Sequence, residues 1–174
     1  SSFNSAGNWS NAAAPSAGND YVTGNNLLRT PGTSGQTYTF GGDSLSVGGN
    51  FATNTGGLIF KGTGNTTINI SNMLIDGGWI RGGSGSLDTF NLDGAITVGA
   101  NGATFTMQED WNVKSDIGGT GNITVTSGAS IIPLTFSGNN TWTGNLIFNS
   151  TASVFTQTGG VMTFDIGAAG VNNK

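Results

Sequence analysis

The sequence predicts an all-β protein, and within that class a parallel β-helix, or β-solenoid, expected to be right-handed. Three observations carry this. Gly, Thr, Asn and Ser make up just over half of the 174 residues, while charged residues amount to 8%, against about 25% in an ordinary globular domain. The apolar residues, 35% of the chain, are not diluted evenly but come in short groups separated by Gly and Asn. No stretch shows the i, i+3, i+4 spacing of an amphipathic helix.

In chain order the strand-like pieces are TYTF (37–40), SLSV (44–47), GLIF (57–60), TTINI (66–70), MLI (73–75), TFNL (89–92), AITV (95–98) and TFTM (104–107). NITVT (122–126), LTF (134–136), NLIF (145–148) and MTFDI (162–166) follow. Each is short, rich in β-branched and aromatic residues, and bounded by Gly, Asn, Asp or Ser. In TTINI and NITVT the apolar residues fall two apart, which buries one face. A loose repeat sets GG or GxG before such a strand, as in GGLIF (56–60), GGWI (77–80), GTGNITV (119–125) and GGVMTF (159–164). Residues 1–36 are read as an N-terminal cap segment and residues 37–174 as solenoid repeats truncated from a longer chain.

Stacked coils suit this composition better than the alternative, a β-sandwich. Sandwich strands are longer and carry Lys and Glu outward, where this chain has Thr, Ser and Asn. Tight corners need left-handed backbone conformations, which Gly and Asn adopt readily. Asn at matching positions can form amide ladders between coils, and Thr and Val fit a pleated stack. With coils of about 20 residues stacked at ~4.8 Å, residues 37–166 would make roughly six or seven rungs.

Several function classes drop out on composition. The five basic residues occur singly and the net charge is −4, so nothing clusters to neutralise nucleic-acid phosphates. No apolar run approaches the ~20 residues of a membrane-spanning helix. His and Cys are absent, which removes disulfides, thiolate nucleophiles and Cys-based zinc sites. The chain begins Ser-Ser without a leader and ends VNNK (171–174), as expected of a mature or excised segment.

The stretch GNNTWTGNLIF (138–148) sets a Trp and a Leu-Ile-Phe run among Asn, Thr and Gly. Alternation puts Trp142 opposite Thr141 and Thr143, hence inside the coil, where burial contributes about 2–3 kcal/mol and ring stacking on adjacent coils roughly 0.5–1.5 kcal/mol more. Gly138, Asn139 and Asn140 then form the preceding corner, and Gly144 permits the next. The longer segment 118–148 resembles the autotransporter-associated β-strand repeat. Its matching positions are Gly119 and Gly121, Leu134 and Phe136, then Gly138, Asn140, Thr141, Trp142, Thr143 and Gly144. Residues 3–22 (FNSAGNWSNAAAPSAGNDYV) are similar to the opening of large secreted Gly/Asn-rich β-helical proteins, and 156–167 to their late repeats. Residues 25–117 fit that pattern only loosely, and no translocating β-barrel is present. The resemblance implies an extracellular segment of a bacterial surface protein.

Residues able to carry chemistry are few. Glu109 and Asp110 are the one adjacent carboxylate pair, with Lys114 and Asp116 nearby to complete a charged patch such as polysaccharide-cleaving β-helices use. Neighbours on a strand point to opposite faces, so a solvated loop followed by the core residue Trp111 is the favoured reading. GGSGSLDTF (82–90) nearly matches a calcium-binding nonapeptide, with Asp88 one position late; Asp88 and Asp93 read better as turn residues. Thr pairs at 37/39, 104/106, 124/126 and 141/143 suggest an ice-binding ladder, but their spacings of 67, 20 and 17 residues do not define one rung. Six N-x-[ST] sequons, at Asn8, Asn65, Asn69, Asn122, Asn139 and Asn149, are expected from composition alone.

The function expected is therefore non-catalytic: an extracellular structural or adhesive solenoid of the bacterial cell surface, requiring no cofactor, with subunits joining end to end through open strand edges. Surface polysaccharide is a further candidate partner. The alternatives are a carbohydrate-binding or polysaccharide-cleaving β-helix built around Trp9, Trp79, Trp111 or Trp142, and an ice- or calcium-binding module.

Overall fold

The protein is described by a computed structural model that covers residues 2–61, 64–82, 89–127, 132–149 and 153–157. Its strands are β1 (Asp20–Val22), β2 (Leu28–Arg29), β3 (Thr37–Thr39), β4 (Ser44–Val47), β5 (Gly49–Asn50), β6 (Thr55–Gly56), β7 (Leu58–Phe60), β8 (Thr67–Ile75) and β9 (Gly78–Gly82). They continue as β10 (Thr89–Val98), β11 (Ala103–Met107), β12 (Asp110–Val113), β13 (Asp116–Gly119), β14 (Ile123–Ser127), β15 (Ile132–Phe136), β16 (Leu146–Phe148) and β17 (Ser153–Gln157).

One sheet runs β1-β4-β8-β10-β12-β15-β17, with β3 beside β8 and β13 beside β10; the other runs β2-β7-β9-β11-β14-β16. Every neighbour pair in both is parallel; antiparallel pairing among the described residues is confined to the small β5–β6 hairpin. Hairpin-joined sandwich sheets would pair antiparallel, so the chain is a β-solenoid.

Register follows one core position round the coil. Leu28 pairs with Leu58, Leu58 with Ile80, Ile80 with Phe105, Phe105 with Val125 and Val125 with Phe148, in steps of 30, 22, 25, 20 and 23 residues. About five turns result, not the six or seven rungs that coils of 20 residues predict. The excess goes into corners, above all the β5–β6 hairpin within the first and longest step. At the ~4.8 Å parallel-strand spacing these turns make a stack about 24 Å long.

The strands are longer and more numerous than sequence alone suggests. Pieces 66–70 and 73–75 are one strand, β8, and pieces 89–92 and 95–98 are β10, the two paired through a register shift between Gly94 and Ile96. Strands β1 and β2 already belong to the stack, inside the stretch read as the cap segment. MTFDI (162–166) lies outside the described residues.

Alternation along each strand fills the interior. Ile68 and Ile70 of TTINI and Ile123 and Val125 of NITVT are all buried. Columns of paired residues rise through the coils: Leu45, Met73, Ile96 and Ile117 in one, Ile68, Leu92, Val113 and Phe136 in another. Phe60 stacks on Phe90 at 4.2 Å between centroids, and both meet Trp111 edge-on, at 5.5 and 5.8 Å. Phe105 lies 5.7 Å from Trp111 and 6.5 Å from Phe136, so rings link several successive coils.

At the N-terminal end the column is closed. Phe3, fully buried, stacks on Phe40 at 5.5 Å. Trp9 lies edge-on to Tyr21 at 4.8 Å, and Asn4 ties the segment down by donating to the Thr39 carbonyl and accepting from the Gly41 N–H.

Candidate functional site

The motif at 138–144 occupies a corner that runs alongside β13 without being a strand itself. The N–H groups of Thr141 and Trp142 both donate to the Ile117 carbonyl, and that of Thr143 to the Gly119 carbonyl. Thr141 and Thr143 are exposed and Trp142 is buried, the alternation that the sequence predicts. Trp142 joins the core cluster, but the ring-on-ring contacts of the column belong to the Phe60–Phe136 series instead. Its indole N–H donates to the Gly121 carbonyl, one coil earlier, at 2.6 Å. Asn140 is buried too, and its Oδ1 accepts from the Ile117 N–H at 3.0 Å.

The motif's glycines have a reason that differs from corner flexibility. Neither Gly138 nor Gly144 has a left-handed backbone; a Cβ on Gly138 would strike the Ser115 carbonyl, and one on Gly144 the Gly121 carbonyl. They are small because the preceding coil lies directly against them.

Amide and carboxylate side chains at other corners also reach one coil back. Asn101 donates its N–H and its amide to the two Asp76 oxygens, at 2.8 and 3.2 Å. Asn145 makes the same pair of bonds to Asn122 Oδ1, at 3.0 and 3.1 Å, and the Asn139 N–H donates to Asp116 at 2.7 Å. On the outer face of the first sheet, Asn112 donates to Asn91 at 3.2 Å and accepts from the Ser137 hydroxyl at 3.0 Å. These are the expected ladders, built from Asp and Ser as well as Asn.

The acidic candidates do not assemble. Glu109 is fully buried, not in a solvated loop, and its carboxylate lies beside Gly82 and the Trp111 ring nitrogen; that corner folds inward between β11 and β12. Trp111 is a core residue as expected, with an indole N–H that has no hydrogen-bond acceptor. Asp110 is half-buried, and burial pushes its carboxyl above the ordinary value of 3.8. Lys114 and Asp116 face solvent, so the four side chains form no common patch. Asp93 is not in a turn but within β10, exposed and next to its register shift, where it accepts from the Gly94 N–H at 2.8 Å, while Asp88 lies outside the described residues. Among the described residues no group of three or more Asp or Glu side chains is placed to hold a metal ion.

Two of the Thr pairs do stack. Thr104 pairs with Thr124 and Thr106 with Thr126, whose hydroxyls hydrogen-bond at 3.1 Å, so the 20-residue spacing is one coil. The ladder stops after two rungs: Trp79 and Arg81 precede it, and Ile147 follows Thr124. A shallow cavity of about 190 Å³ lies here, against Asn101, Asn122, Thr104, Thr124 and Ile147.

Trp79 is the residue that strand alternation alone misplaces. Its neighbour Ile80 faces the core, so Trp79 points out of the second sheet, yet it is fully buried. The β5–β6 hairpin covers it: Phe51 meets the ring edge-on at 5.5 Å and the Thr55 carbonyl accepts from the indole at 2.9 Å. The GG before each strand gives no hint of this cover. Trp79, Trp111 and Trp142 are thus all inaccessible to an extended polysaccharide, and Trp9 is half-buried. No family model matches the chain, and no curated protein or solved structure does.

Proposed function

We propose that this chain is a non-catalytic structural segment of a bacterial surface protein, a stiff extracellular rod that presents or spaces other domains. The observation that carries this is the interior column, continuous through about five turns and linked from coil to coil by the Phe60, Phe90, Trp111, Phe105 and Phe136 rings. The sequence likeness of 118–148 to the autotransporter-associated repeat supports the same assignment. Low charge and the absence of His and Cys suit a protein that persists outside the cell.

The stack would lengthen from the side of β16 and β17, because the cap occupies the other end. Further coils or a second subunit there would pair with the outer edges of β16 and β17, beyond which no strand lies among the described residues. Two measurements test the assignment. Protease shaving of intact cells of the source bacterium is expected to release peptides of this chain; recovery only after lysis would overturn the surface assignment. Electron microscopy at high protein concentration is expected to show rods of several subunit lengths, and uniformly short particles would overturn end-to-end growth.

A further inference from the structure

We propose that the groove between the N-terminal cap and the first corner of the solenoid binds a neutral saccharide. The groove, of about 380 Å³, lies between residues 7–10 and 22–28, within the roughly 300–1,000 Å³ of small-molecule sites. Its apolar side is Trp9 with Val22 and Leu27, which are 66% and 37% exposed, Val22 being the most exposed of the large apolar side chains among the described residues. Its polar side is Ser10, Thr23 and Asn26.

Each group has something left to offer. The Trp9 indole N–H is taken by the Phe3 carbonyl at 2.9 Å and its ring system packs against Tyr21 and Phe40, at 4.8 and 5.9 Å; Trp9 is only half-buried, so what it leaves for a ligand is ring surface rather than a donor. Thr23 Oγ1 accepts from the Gly48 N–H at 3.0 Å, so its hydroxyl hydrogen is free to donate. Among the described residues nothing bonds the side chains of Ser10 and Asn26. A pyranose has an apolar C–H face to lie on an aromatic ring and a rim of hydroxyls that both donate and accept, as amides and hydroxyls do. A purely apolar ligand would bury those polar groups unpaired, at a cost. No charged residue lines the groove, so acidic sugars and phosphates have no counter-ion there.

This goes beyond the surface-rod assignment and does not rest on it, because binding is read on the isolated chain. The probes are the methyl glycosides of glucose, galactose, mannose and N-acetylglucosamine, followed by saturation-transfer NMR and Trp fluorescence, then neutral polysaccharides in pull-down. At least one glycoside is expected to bind with a constant of about millimolar. Trp9→Ala is expected to weaken it about tenfold, Asn26→Ala to weaken it measurably, and Thr124→Ala, in the distant shallow cavity, to leave it unchanged. Should Trp9→Ala not fold, Leu27→Asp at the groove mouth serves, with folding checked by circular dichroism. Absence of binding by every glycoside at about 50 mM, far above the expected constant, together with absence of polysaccharide binding, would overturn the proposal, as would binding indifferent to Asn26→Ala and Leu27→Asp. Concentration-dependent dimers that Leu27→Asp abolishes, without any saccharide effect, would assign the groove to a second copy of the chain and equally overturn it. Binding of a polysaccharide without any glycoside would show a longer ligand in the same groove only if Trp9→Ala or Leu27→Asp removed it; otherwise it too counts against the site.

Discussion

The Trp142 indole N–H and the Gly121 carbonyl, 21 residues apart in sequence, meet at 2.6 Å and lock one coil to the next. Trp142→Phe keeps much of the apolar bulk and removes only this bond, leaving the Gly121 carbonyl buried without that donor. A loss of about 1–3 kcal/mol is expected, read as a lower denaturant midpoint with an unchanged m-value. Trp142→Ala should cost more, roughly 3–5 kcal/mol, through the cavity it opens.

Asn140 supplies a side-chain acceptor for the buried Ile117 N–H where the strand ladder has ended. Asn140→Ala leaves that donor unpaired and is expected to destabilise by about 1–3 kcal/mol. Amide exchange at Ile117, followed by NMR, should accelerate before any other change in the spectrum.

Gly144 and Gly7 separate crowding from flexibility. A methyl group on Gly144 meets backbone, which cannot swing aside as a side chain can, whereas one on Gly7 meets nothing within 4 Å. Gly144→Ala is therefore expected to cost about 1–3 kcal/mol, and Gly7→Ala to stay within about 0.5 kcal/mol of the wild type. Paired thermal melts decide it.

Asp110 gives a pH signature. Burial raises its native carboxyl above 3.8, so the native state holds the proton more tightly than the unfolded chain. Its contribution to stability is then greatest below the unfolded value, falls as pH rises toward the raised native value, and is level above it. Asp110→Asn should remove that fall. Melting temperatures of both proteins across about pH 3 to 7 would show it as a converging or diverging pair of curves.

Much of this was legible in residue order. Gly-bounded alternating strands with outward Thr and Asn pointed to stacked coils, and the Thr-Trp-Thr alternation placed Trp142 inside. Coil length was not legible, because insertions such as the β5–β6 hairpin sit in corners and leave strand patterning untouched. Trp79 and Glu109 were misleading for a related reason. An aromatic beside the core position of a strand looks like an exposed platform and a carboxylate after a strand looks like loop, unless the cover over one and the inward fold under the other are known. The Thr104–Thr124 rung is hidden in the sequence because only two of the four Thr pairs share a sheet position.

The cap has a bearing on how the chain comes to be folded at all. Phe3, Trp9, Tyr21 and Phe40 gather from a single short stretch near the amino terminus, and contacts so close along the chain form fast. A finished plug would then stand ready before the later coils have docked. Each later turn would find a completed surface to settle on, like thread wound onto a spool from one fixed end.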